Sequence, residues 1–282
     1  MKIVREFLKE ATECFSSLQF TQARRQSEDL LCDLLSCSRL QLYMQLDYPL
    51  TELELEKAKN WLQRRAQGEP LAYIHGKIDF YGCTIEVNPS VLIPRQETEI
   101  LVDKVVQSLK KQDLKGKIFV DLCCGSGCIG TAVKKKFPEL TVYLSDISAK
   151  AIQLAKRNAA LNQVELFYLE GDLLEPFIDL KFDYLVCNPP YISKKEYANL
   201  ENEVKEFEPS LALIGGESGL EFYQRLSKEL PHYLNSKSQI WMEIGYAQGE
   251  DIKKIFNSHG WVKKTVENDW AGHDRFFFLE NE

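Results

Sequence analysis

The sequence predicts an α/β protein: a mostly parallel sheet covered by helices and ended by an antiparallel pair, with a small all-helical domain ahead of it. Three observations carry this. From residue 96 onward, strand-like apolar runs alternate with helical stretches, the pattern of a sheet built from strand–helix–strand units. The last two apolar runs, Trp261–Glu267 and Arg275–Leu279, have only a short connection between them. A parallel crossover needs a dozen or more residues, so these two should pair antiparallel. In the opening segment, Leu30, Leu31, Leu34 and Leu35 recur at helical spacing.

Residues 1–72 form the first predicted domain. One helix carries the leucines just named, after the polar stretch Thr21 to Asp29. A second opens at Pro49-Leu50-Thr51-Glu52-Leu53-Glu54, where Thr51 can cap a free N–H and Glu54 can bond back to the cap. Leu55, Ala58 and Leu62 fall on one face, and Gly68-Glu69-Pro70 stops the helix. With ten Lys/Arg against eleven Asp/Glu, the domain suits protein docking better than a nucleic-acid clamp. Residues 73–95 read as a hairpin linker: Thr84-Ile85-Glu86-Val87 alternates, Gly82 interrupts, and Asn88-Pro89 turns. In the third segment, 96–282, strands are expected at Lys117–Leu122, Thr141–Ser145, Val164–Leu169, Phe182–Cys187 and Gln239–Ile244. Helices are expected at Glu99–Lys110, Ile129–Phe137, Ala149–Leu161 and Leu220–Leu234, the third capped by Ser148.

Composition narrows the function. The 282 residues are 44% hydrophobic, enough for one large domain or two ordinary ones. No apolar run is long enough to span a bilayer, and charges thread the first ten residues, so a soluble cytoplasmic protein is expected. Of eight cysteines, Cys123, Cys124 and Cys128 crowd one glycine-rich loop and Cys187 ends an apolar run. His75, His232, His259 and His273 are scattered, so free thiols and no metal site are expected. A formal charge of −7 argues against a phosphate-gripping surface.

The segment from Val120 to Gly130 sits where the first strand of the sheet turns into a helix, so Gly125 and Gly127 let backbone approach a ligand. Gly125, Gly127 and Gly130 also spell a dinucleotide fingerprint, with Asp146 ending the next strand. Asp121, immediately before the loop, would oppose a pyrophosphate but suits the ammonium and sulfonium of S-adenosylmethionine. Asp146 fits either ligand, since a carboxylate can accept from both ribose hydroxyls.

Asn188-Pro189-Pro190-Tyr191 follows the fourth strand and therefore opens onto the same cleft. An amide or exocyclic amine is a poor nucleophile because its lone pair is delocalised. Two acceptors gripping its N–H groups would turn that lone pair towards a methyl donor and stabilise the charge developing on nitrogen. The Asn188 side-chain oxygen and the Pro189 carbonyl can supply them. The prolines stiffen the turn, and Tyr191 offers a flat wall for a planar group. The cationic product is acidic, so no strong base is needed before transfer.

The Asn-Pro-Pro-Tyr motif is similar to that of class I amino-methyltransferases, which act on adenine N6, guanine N2 or glutamine N5. Further segments resemble the last group: Gly68-Glu69-Pro70-Leu71-Ala72-Tyr73-Ile74-His75-Gly76, Val91-Leu92-Ile93-Pro94-Arg95-Gln96-Glu97-Thr98-Glu99, Phe207-Glu208-Pro209, and Gly215-Gly216 through Gly219-Leu220. The chain thus resembles the HemK/PrmC family of release-factor glutamine-N5 methyltransferases over nearly its whole length. The resemblance implies a class I (Rossmann-like) methyltransferase sheet with an antiparallel C-terminal hairpin. It implies S-adenosylmethionine as donor, with Cys123, Cys124, Gly125, Ser126 and Gly127 around its methionine end, Asp146 on the ribose, and Asp172 and Leu173 beside the adenine. It implies, as substrate, the glutamine of the Gly-Gly-Gln loop of bacterial class I release factors, held by Asn188 to Tyr191. Arg95–Glu99 either closes over the cofactor or begins the next helix, whose dipole its acidic residues suit. Cys123-Cys124 departs from the family's usual Gly-Thr, and a positive φ at Cys123 would be strained. A nucleic-acid amino-methyltransferase, a nicotinamide-dependent oxidoreductase and a non-catalytic binding module are the alternatives.

Overall fold

A computed structural model describes residues 1–257 and 260–282; His259 lies outside the described residues. The chain divides into two compact units, Met1–Gly76 and Lys77–Glu282.

The first unit is helical: α1 (Val4–Ser17), α2 (Ala23–Leu34), α3 (Arg39–Met44), α4 (Glu52–Ala66) and α5 (Leu71–His75). Phe7, Phe15, Leu30, Leu31 and Leu62 meet in its core. The predicted capping box at α4 is present, with Thr51 and Glu54 each satisfying the other's backbone N–H; such caps contribute about 1 kcal/mol. Ile74 of α5 is buried in this core, so the first unit runs to Gly76, a few residues beyond the expected boundary at residue 72.

The second unit begins with the hairpin β1 (Lys77–Phe80) and β2 (Cys83–Glu86). Its two-residue turn places Tyr81 at φ 45° and Gly82 at φ 75°, the left-handed pair that matches strand twist. The unit continues through α6 (Gln96–Leu109), β3 (Ile118–Leu122), α7 (Cys128–Lys136), β4 (Thr141–Asp146), α8 (Ala149–Leu161), β5 (Phe167–Glu170) and β6 (Phe182–Cys187). Then come β7 (Ile192–Ser193), α9 (Lys194–Tyr197), α10 (Asn202–Phe207), β8 (Ile214–Gly216), α11 (Glu221–Glu229), β9 (Leu234–Glu243), α12 (Gly249–Ile255), β10 (Trp261–Asn268) and β11 (Asp274–Asn281).

Seven strands form one sheet in the order β10-β11-β9-β6-β3-β4-β5. β11 runs antiparallel to both neighbours, and the other pairings are parallel. All six residues of β6 are buried, as a strand covered on both faces requires. Leu185, Ile240, Met242 and Phe277 share one core with Tyr223, Leu226, Ile252 and Phe256. β3, β4, β6 and β9 run in the same direction, so Leu122, Asp146, Cys187 and Glu243 end along one edge of the sheet. No helix among the described residues is long and apolar enough to cross a membrane.

Several predicted boundaries shift: α6 begins at Gln96 rather than Glu99, and β5 at Phe167 rather than Val164. The helix expected at Leu220–Leu234 ends at Glu229; a 3-10 turn covers Leu230–His232, and β9 begins at Leu234. Pro231 interrupts the α-helical ladder. The early part of β9 is polar, and its register with β6 is irregular there, stepping from Phe182↔Leu234 to Tyr184↔Gln239. Ser238 fills the irregularity, its hydroxyl bonding the Phe182 carbonyl at 2.9 Å.

Candidate active site

Strand β3 delivers the chain at Leu122 into a loop that bends back through three left-handed residues: Cys123 (φ 57°), Gly125 (φ 53°) and Gly127 (φ 73°). Gly127 caps α7, and a Cβ there would lie 2.8 Å from Leu144 and 2.9 Å from Ala155. Only glycine fits. Cys123 has no such freedom, and its conformation costs roughly 1–2 kcal/mol. The loop is stitched to β4 by Cys124 N–H donating to the Ser145 carbonyl at 3.0 Å and Gly125 N–H to Asp146 Oδ2 at 2.9 Å. Asn158 of α8, fully buried, holds it from behind: its Nδ2 donates to the carbonyls of Ser126 (2.9 Å) and Glu86 (3.0 Å), and its Oδ1 accepts from Glu86 N–H at 2.7 Å. One amide thereby fixes both the loop and the hairpin.

A cleft open to solvent lies beyond this edge of the sheet. Cys123, Cys124, Gly125, Ser126, Asp146, Asp172, Leu173, Asn188 and Pro190 all line it. Asp146 places a carboxylate on the wall, with Oδ1 accepting from Ser148 N–H and Oδ2 from Gly125 N–H, both at 2.9 Å. Burial raises its pKa, and those backbone N–H bonds oppose the rise. Each oxygen retains a lone pair for a further donor.

Four predicted site residues do not line the cleft: Asp121, Gly127, Pro189 and Tyr191. Asp121 is fully buried; its Oδ2 accepts from Gly130 N–H at 2.8 Å, and burial pushes its carboxyl up to about 8. It braces the start of α7 instead of facing a ligand. Tyr191 is held by its hydroxyl, which donates to Glu243 Oε1 at 3.2 Å. Asp172 lines the cleft, but its carboxylate is paired with Arg225 at 2.9 Å.

The Asn188-Pro189-Pro190-Tyr191 loop is pinned from several directions. Asn188 Nδ2 donates to Thr98 Oγ1 at 3.4 Å, and Gln248 Nε2 donates to the Tyr191 carbonyl at 3.0 Å. Parallel pairing of β7 with β8 brings Gly215 against the loop. A Cβ at Gly215 would lie 2.5 Å from the Pro190 carbonyl oxygen and 2.8 Å from Tyr191 Cα.

The segment before α6 crosses the cleft and also starts the helix. Pro94 and Thr98 line the cleft, Arg95 is the N-cap, and Glu97 and Glu99 occupy the first turn. The buried carboxylate of Glu208 ties this segment to the stretch after α10, accepting from Ile93 N–H at 3.1 Å and pairing with Arg95. Pro209, Leu211 and Ala212 then line the cleft as well. Sequence reasoning quoted Thr98 and Glu208 without a role and passed over Glu243, Gln248 and Asn158. Only the clustering of polar residues just past strand ends could have marked Glu243 and Gln248.

The chain matches known proteins along both units. Residues 96–207 match the Methyltransferase small domain family, and residues 6–76 match the PrmC N-terminal domain family. The chain is 45% identical over 281 residues to the release factor glutamine methyltransferase of Chlamydia trachomatis serovar D, covering 99% of this chain and 94% of that protein. It is 38% identical to that of Bacillus cereus, covering 90% of this chain and 92% of the other. A crystal structure of a methyltransferase from Pyrococcus furiosus superposes with a TM-score of 0.52 at 18% identity, over 71% of this chain and 89% of that one. That likeness speaks to the fold alone. Identity this high along 99% of the length places both units in one lineage: the chain belongs to the release factor glutamine methyltransferase family.

Proposed function

We propose that this protein transfers a methyl group from S-adenosyl-L-methionine to the side-chain amide nitrogen of the glutamine in the Gly-Gly-Gln loop of bacterial class I release factors, releasing S-adenosyl-L-homocysteine. The observation that carries it is the placement of Asn188. Its amide opens onto the same cleft as Asp146 and the glycine loop, and its Nδ2 is tied back to Thr98.

The residues present suit the donor. Asp146 offers lone pairs to two ribose hydroxyls, and Leu173, Ile147 and Val91 supply apolar cleft wall for a purine. The loop from Cys123 to Gly127 frames the region for the methionine end, braced from below by Asp121. When bound, the donor supplies an electrophilic methyl group on a sulfonium. Asn188 Oδ1 accepts from an N–H group of the glutamine, turning its nitrogen lone pair towards the donor. It also stabilises positive charge growing on that nitrogen. Proton loss from the methylated amide follows without a dedicated base. The helical unit, with near-balanced charge, suits recognition of a protein, and the cytoplasm is where such substrates occur.

The test is transfer of a labelled methyl group to purified release factor, located by mass spectrometry. One methyl on the Gly-Gly-Gln glutamine is expected; label in DNA or ribosomal RNA instead would overturn the protein substrate. Gly215→Ala supplies a second check. The new methyl overlaps the Pro190 carbonyl, so the loop must shift, and misplacement by about 1 Å can lower turnover by up to about a hundredfold. Turnover reduced at least about tenfold, with donor affinity by calorimetry unchanged, is the expected result.

A further inference from the structure

Behind the Asn-Pro-Pro-Tyr loop, side chains from five separate stretches of chain form one hydrogen-bonded row. Glu243, at the end of β9 and 1% exposed, accepts from the Thr98 hydroxyl through Oε2 at 2.8 Å. Through Oε1 it accepts from the Tyr191 hydroxyl at 3.2 Å. Thr98 Oγ1 in turn accepts from Asn188 Nδ2 at 3.4 Å. Arg275 Nη1 donates to the Tyr191 hydroxyl at 3.4 Å, and the Tyr223 hydroxyl fixes the Glu243 carbonyl at 2.7 Å.

The row has a direction. An ionised carboxylate has no proton to give, so both hydroxyls must donate to it. Thr98 has a single proton, and once that points at Glu243 its oxygen can only accept. Asn188 has two ends of nearly the same shape and opposite polarity, so its hydrogen-bond partners decide which way the amide faces. An accepting Thr98 selects the NH₂ end and leaves Oδ1 as the end able to meet a donor. A glutamine amide offers N–H groups, so only this orientation serves it.

We propose that Glu243 is a positioning residue for methyl transfer: acting through Thr98, its carboxylate sets the Asn188 amide with the acceptor turned to the substrate. This rests on Asn188 accepting from the glutamine amide, and deepens that reading. Glu243 touches no reacting atom. Burial raises its pKa, while the Arg275 charge and the two hydroxyls favour the ionised form that the relay requires.

The test is Glu243→Gln, which keeps the shape and adds a donor able to reverse the relay. We expect kcat for the release factor to fall at least about tenfold, the loss of one oriented polar contact, with KM and donor affinity within about twofold. In an Asn188→Ala background the same change should lower single-turnover rate by less than about threefold, since no amide remains to orient. Thr98→Val should reproduce the loss of kcat and Thr98→Ser should restore it, which also serves if the Glu243 variant does not fold. Unchanged kcat in Glu243→Gln, or an equal loss with and without Asn188, overturns the proposal. A wild-type enzyme that leaves the glutamine unmethylated overturns the underlying reading instead.

Discussion

Replacing Asn188 with alanine should lower methyl transfer by on the order of a hundredfold or more while leaving S-adenosylmethionine affinity within a few-fold of wild type. The loss is large because the acceptor is preorganised. Nδ2 is held by Thr98 and the following prolines are buried, so the side chain need not reorganise as charge develops on the substrate nitrogen. Water entering the gap left by alanine would solvate the glutamine amide in its planar, unreactive form. The Asn188 backbone sits between β6 and two prolines, so truncation at Cβ leaves the chain path in place. Labelled-methyl transfer under single-turnover conditions, with calorimetry for the donor, separates the two effects. Near-normal turnover would remove Asn188 from the chemistry.

Asp146→Ala should act on the other half of the reaction, weakening donor affinity by about 10- to 100-fold, the range for hydrogen bonds to a charged acceptor. Two losses combine. The ribose hydroxyls lose their carboxylate, and the N–H groups of Gly125 and Ser148 lose the acceptor that shapes the loop and starts α8. The KM for donor should rise while kcat at saturation changes much less. Unchanged affinity in titration calorimetry would refute the ribose assignment.

Much of this architecture was legible because it is written in local pattern. The strands ending at Leu122, Asp146 and Cys187 are apolar runs, and the loops after them carry glycines or prolines whose geometry is intrinsic. Ser148 and Thr51 cap the helices that their spacing announced. Side-chain direction was harder to read. Asp121 and Tyr191 occupy the expected positions, yet one turns to Gly130 N–H and the other to Glu243. Those partners are brought close by the sheet, and no neighbouring residue signals them. The clasp of Arg95 with Glu208 and the bond of Thr98 to Glu243 join residues 113 and 145 positions apart. Such pairings leave no periodicity to detect. Gly215 was noticed as part of a motif, but its close approach to Pro190 depends on β7 and β8 pairing across a long excursion.

The place of β11 within the sheet has a consequence for biosynthesis. This strand is made after the other six, yet it sits between β9 and β10, not at the border. A nascent chain that has reached Asn268 therefore holds β9 with one side unpaired, a template for association with other chains. It also lacks Arg275, the second residue of β11, which bonds both the Tyr191 hydroxyl and the Ile244 carbonyl. Sheet closure and completion of the support for the Asn-Pro-Pro-Tyr loop are thus one event. A chain halted before β11 would therefore carry both an open sheet edge at β9 and an unbraced Tyr191 hydroxyl.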